Sequence, residues 1–93
     1  MNEINIGEVY YLTAKRRSPE KAEEVLRQLE VLPIEPVSNS LADILEAARV
    51  KAQFPISCAD AFAVATALRA GATIVTGDRE FRAVAHLVEI DWI

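Results

Sequence analysis

The run Ile74-Val75-Thr76 stops at Gly77, and Asp78 follows at once. A short β-branched run reads as a strand, and a glycine directly after it marks a turn. In front of it, Ser57 caps a segment, Cys58-Ala59-Asp60-Ala61-Phe62-Ala63-Val64-Ala65, that is apolar almost all round. A helix of that kind is buried on several sides. Gly71 supplies the left-handed residue that ends it. Helix, glycine break, strand and acidic loop together specify an α/β unit. In an open parallel sheet, chemistry gathers just past the carboxyl ends of the strands, and Asp78 falls there.

The remaining elements are read by the same rules. Ile4 to Leu12 is β-branched and aromatic enough for a strand. A helix capped by Asn5 is preferred, because Lys15-Arg16-Arg17 suits the negative end of a helix dipole. Ser18-Pro19 starts a second helix, with Ala22, Val25, Leu26 and Leu29 as its apolar stripe. The two prolines in Leu32-Pro33-Ile34-Glu35-Pro36-Val37 exclude helix and suggest a short edge strand over 32–37. Ser40 to Asp43 is a capping-box pattern, and Leu41, Ile44, Leu45, Ala48 and Ala52 are the expected buried face of the helix it opens. Pro55 stops that helix. Strands over 73–76 and 87–90 flank a short helix through Phe81 and Val84. Alternating strands and helices argue a parallel sheet.

The 93 residues allow one domain, expected over 1–93. The net charge of −4 argues against a general electrostatic grip on nucleic acid and leaves room for a local basic patch. The single cysteine excludes an intrachain disulfide, and no apolar run reaches the roughly 20 residues of a membrane span. A cytoplasmic protein with no membrane attachment is expected.

Three carboxylates stand in apolar or small-residue settings: Glu8, Asp60 and Asp78. Carboxylates converging in a crevice repel one another until a divalent cation neutralises them, and Mg²⁺ and Mn²⁺ prefer such oxygen ligands. A bound metal activates water and stabilises the charge of phosphodiester cleavage. Each acid also has a plain structural use. Asp60 completes a capping box with Ser57, Asp78 caps the short helix after Gly77, and Glu8 is a solvated helix residue. Thr76 is placed to hydrogen-bond a metal-bound water, or is simply a strand threonine. Lys15, Arg16, Arg17, Arg79 and Arg82 form a phosphate track if they share a face, and are otherwise ordinary surface charge. His86 has no second histidine for a zinc site and reads as a helix end. Cys58 reads as a small core residue.

Ser57 to Ala65 followed by Ala72-Thr73-Ile74-Val75-Thr76-Gly77-Asp78-Arg79-Glu80-Phe81 resembles the C-terminal half of a PIN domain, most of all the VapC-type toxins of toxin–antitoxin pairs. Ile4 to Tyr11 resembles that family's helix bearing its second acid. The resemblance implies an α/β, three-layer αβα fold with a short parallel sheet. It implies a metal-dependent endoribonuclease whose acids bind Mg²⁺ or Mn²⁺ and activate water against RNA. By motif, Glu8 matches the second acid, Asp60 the third and Asp78 the fourth, with Thr76 at the hydroxyl position before it. It also implies a cognate antitoxin and a homodimer.

The family's first strand carries an acid in a pattern like Asp-Thr-Ser or Asp-Thr-Asn, and nothing here matches it. The expectation is a chain truncated at its N-terminus that lacks the usual first, central strand, its sheet completed by dimerisation or a strand-exchanged oligomer. Two functions compete on this reading: a working nuclease, or a catalytically inactive remnant that binds an antitoxin or dimerises. An unrelated small α/β domain ranks last, because it leaves Thr76 to Phe81 unexplained.

Overall fold

Asn2 starts the first helix. Its side-chain oxygen accepts the Ile4 N–H at 2.9 Å, and the residue is buried. Helix α1 (Glu3–Arg16) therefore begins three residues before the expected Asn5 cap would allow, and the helical reading of this segment holds. Lys15 and Arg16 lie in its last turn. Ser18 Oγ accepts the Lys21 N–H at 3.0 Å, and Pro19 opens α2 (Pro19–Val31). Ala22 is fully buried, with Val25, Leu26 and Leu29 half-buried on the same stripe. The α1–α2 hairpin is pinned by the Tyr10 hydroxyl, which donates to the Glu23 carboxylate.

The computed structural model describes residues 1–93, which divide into two units, Met1–Ser38 and Asn39–Ile93. In the first, the strand expected over 32–37 shrinks to one parallel bridge between Val37 and Asn2. Val37 donates to the Met1 carbonyl at 2.8 Å and accepts the Glu3 N–H at 2.9 Å. Glu35, between the prolines, also accepts from the Met1 amino group at 2.9 Å. Pro33 and Pro36 have no N–H to extend the ladder.

The second unit holds α3 (Leu41–Gln53), α4 (Cys58–Ala70), β1 (Ile74–Thr76), a 3-10 helix (Arg79–Val84) and β2 (Ile90–Trp92). The strands form a two-stranded parallel sheet in the register Ile74 to Ile90, Val75 to Asp91 and Thr76 to Trp92. Strand β2 begins later than the 87–90 span expected. Leu87 and Val88 still donate to the Val84 carbonyl, so the turn after the 3-10 helix runs on and Val88 drops into the core. The result is a helix-rich α/β fold with a short parallel sheet.

Helix α4 is the centre of this unit. Ala59, Ala61, Phe62, Val64, Ala65 and Ala67 are all buried along it. Phe81, Val84 and Val88 pack into the same cluster. Against it, α3 offers Ala47 and Val50, not the stripe expected from its spacing. Leu41 is 71% exposed, and Ile44 and Leu45 are exposed too. Alanine at the contact allows close approach, and Arg69 of α4 then reaches Asp43 at 2.7 Å and Glu46 at 3.7 Å. The face of α3 that meets α4 is thus turned away from the one the apolar count names.

Gly71 ends α4 at φ 61°, and a Cβ there would meet no neighbour. Its requirement is conformational alone. Gly71→Ala is expected to lower stability by about 1 kcal/mol, or roughly 4–8 °C in midpoint for a domain of this size. Thermal unfolding followed by circular dichroism reads this directly. An unchanged midpoint would mean that the turn relaxes without penalty.

Candidate active site

Asp60 lies in the first turn of α4. Ser57 Oγ accepts the Asp60 N–H at 3.2 Å, which is half of a capping box. In α3 the box is complete: Ser40 Oγ accepts from Asp43 N–H, and the Asp43 carboxylate accepts the Ser40 N–H at 2.9 Å. The Asp60 carboxyl does something else and faces Asp78 and Glu80. One oxygen from each of Asp60, Asp78 and Glu80 lies within 4.8 Å of the other two.

The loop after β1 is built to hold the second and third of these acids. Thr76 Oγ1 accepts the Asp78 N–H at 3.0 Å, closing a hydroxyl turn across Gly77. Asp78 Oδ1 accepts the Glu80 N–H at 2.9 Å and so caps the 3-10 helix. Gly77 keeps the loop close to the chain end: a Cβ there would stand 3.2 Å from the Ile93 carbonyl oxygen, a tight contact. Below the loop, Phe81 is buried and ties the helix to the core.

No cation offsets this charge. The ion pairs of the second unit join Arg69 to Asp43 and Glu46, and none reaches Asp60, Asp78 or Glu80. The Asp60 carboxyl is accordingly pushed up to about 7. Burial is the largest cause, followed by a hydrogen bond with the Glu80 carboxyl. A hydrogen bond from Ser57 works against the shift, and the charges of Glu80 and Asp78 add to it. An all-carboxylate set without a resident cation suits a hard divalent ion, for which Mg²⁺ and Mn²⁺ are the natural matches.

Asp60 and Asp78, singled out in the sequence, thus meet. Thr76 stands beside them and orders the backbone of the acidic loop. Glu8 belongs to the other unit, half-buried on α1. Glu80 is not among the sequence candidates. Its signal was its place two residues after Asp78, where a capping turn brings both carboxylates to one end of a short helix. Cys58 is exposed rather than a core residue, because the first turn of α4 buries Ala59 and Ala61 instead. His86 follows the 3-10 helix, its ring edge-on to Phe54 with centroids 5.5 Å apart.

The family model of the PIN domain matches residues 1–87. The chain belongs to the PIN domain family. No curated protein matches the sequence. PIN domains are in general nucleases that use a divalent metal, and the acidic cluster of this PIN-like α/β fold is of the kind such chemistry needs. No helix is long and apolar enough to cross a membrane.

The Asp60 shift carries a pH prediction for the metal-free protein. The folded-state value is raised, so the group's contribution is full below the unfolded value of 3.8 and is lost as pH rises through about 7. Denaturant unfolding in EDTA is expected to show about 2 kcal/mol less stability at pH 8 than near pH 5 from this group, after allowing for solvent access. Asp60→Asn should flatten the difference. Equal pH slopes in both proteins would remove Asp60 as its source.

Proposed function

We propose that this PIN domain is a metal-dependent endoribonuclease of the VapC type. The observation that carries the reading is the convergence of Asp60, Asp78 and Glu80 without a compensating cation. Asp60 and Asp78 would hold Mg²⁺ or Mn²⁺, with Glu80 as a further oxygen donor; an assisting role for Glu8 rests on its motif alone. The metal supplies an activated water and charge stabilisation for phosphodiester hydrolysis. The chain's own part is to fix the acids. The Thr76 turn and the Asp78 cap set the loop, and α4 presents Asp60 from a packed core. The antitoxin partner and the homodimer belong to the same proposal and rest on the resemblance of the motifs.

The test is cleavage of a mixed RNA substrate with Mn²⁺ or Mg²⁺, beside an EDTA control. Cleavage that needs the metal supports the nuclease. Pure, folded protein that leaves RNA intact under all these conditions would retire it in favour of the binding-only remnant. The toxin assignment is separable: induced expression should arrest growth, and Asp78→Asn should not. Sedimentation at micromolar concentration tests the dimer, which a single monomeric species would contradict.

A further inference from the structure

The 3-10 helix has three residues per turn, so side chains three apart stack on one face. Its sequence, Arg79-Glu80-Phe81-Arg82-Ala83-Val84, sorts cleanly by that rule. Phe81 and Val84 take the buried face. Glu80 starts the face that reaches the acidic cluster. Arg79 and Arg82 take the third, and both are exposed with no ion pair. These two arginines, Gly77, Ala85, Trp92 and Ile93 line a groove of about 600 Å³. Trp92 is paired through its backbone in β2 while its residue stays 46% exposed.

We propose that this groove holds a single-stranded polynucleotide, with Arg79 and Arg82 on successive phosphates and Trp92 stacked on one unpaired base. The proposal rests on the nuclease reading and names where its substrate lies. Two arginines one turn apart on the same face, their backbones about 6 Å apart along the helix axis, suit a repeating anion better than a lone one. The exposed indole needs the open face of a base, which a duplex does not present. Gly77 lines the groove and is bonded to Asp78, so the groove adjoins the acidic loop. The local arginine pair also explains how an acidic chain could grip a polyanion at all.

Trp92 is the only tryptophan, so intrinsic fluorescence reports the site. The probe is a ten-nucleotide single-stranded RNA of mixed sequence, titrated into Asp78→Asn protein so that turnover does not consume it. Its duplex form and poly-glutamate at the same salt are the comparisons. The expected result is saturable quenching by the single strand, at least tenfold tighter than by the duplex. R79Q/R82Q should weaken binding about tenfold and lower the salt slope by roughly 1.4, that is about 0.7 for each phosphate no longer neutralised. Trp92→Ala should weaken it about tenfold, followed by anisotropy of a labelled strand, and Trp92→Phe should restore most of the affinity. Both arginines are exposed, so unchanged thermal midpoints are expected and checkable.

The outcomes separate the two readings. Metal-dependent cleavage by the wild type with no quenching, and equal cleavage by R79Q/R82Q, would overturn the groove and leave the nuclease standing. Quenching and the predicted salt slope without any cleavage would support the groove and count against the nuclease. Equal quenching by poly-glutamate would overturn the groove as a nucleic-acid site. No binding and no cleavage by folded protein would overturn both.

Discussion

Asp78→Asn is expected to lower metal-dependent cleavage by at least a factor of about 10²–10³ while leaving the fold intact. The substitution is chosen because Asp78 has two jobs. One oxygen accepts the Glu80 N–H and caps the 3-10 helix. Asparagine caps as well as aspartate, so that bond survives. What disappears is a full negative charge at the point where three carboxylate oxygens converge within 4.8 Å. The alanine variant would confound the two roles, because removing the cap alone costs about 0.5–2 kcal/mol. The measurement is cleavage across a Mn²⁺ titration, beside the thermal midpoint. Partial recovery at high Mn²⁺ identifies a metal ligand. Wild-type cleavage in the asparagine variant would take Asp78 out of the chemistry.

The caps and breaks were legible because they are local. Ser18, Ser40 and Ser57 all cap as their spacing indicates, and Gly71 adopts the left-handed conformation its position requires. The acidic loop was legible for the same reason, since a strand, a glycine and an aspartate fix one another within a few residues. What failed depended on partners far away in the chain. The apolar count on α3 named Leu41, Ile44 and Leu45, but the residues that meet the core are Ala47 and Val50, and Arg69 of α4 pairs with Asp43 and Glu46. The strand over 32–37 had the right extended character, yet a ladder needs donors that two prolines lack. Glu80 was missed because it looks like one more solvated acid until the Asp78 cap folds it back beside Asp60. A carboxylate's partners, not its neighbours in sequence, decide whether it is ordinary.

Phe81→Ala should do the most damage to both stability and activity. Phe81 is 5% exposed and packs with Val84 and Val88 against α4. Truncating a buried phenylalanine typically costs about 3–5 kcal/mol, a large share of what a chain of this length holds in reserve. The same side chain is the first anchor beneath the acidic loop, with Val84 one turn further on, while Arg79, Glu80 and Arg82 of its helix are exposed. Its removal should therefore displace Asp78 and Glu80 relative to Asp60 even in molecules that stay folded. Phe81→Leu separates the two effects by keeping most of the apolar volume, and is expected to regain most of the stability. The decisive comparison is cleavage by each variant at a temperature where circular dichroism shows it fully folded. If Phe81→Ala is folded and cleaves like the wild type, the loop holds itself in place by its own turn. If its cleavage falls and Phe81→Leu restores it, the acids work only because a phenylalanine three residues beyond Asp78 pins them to the core.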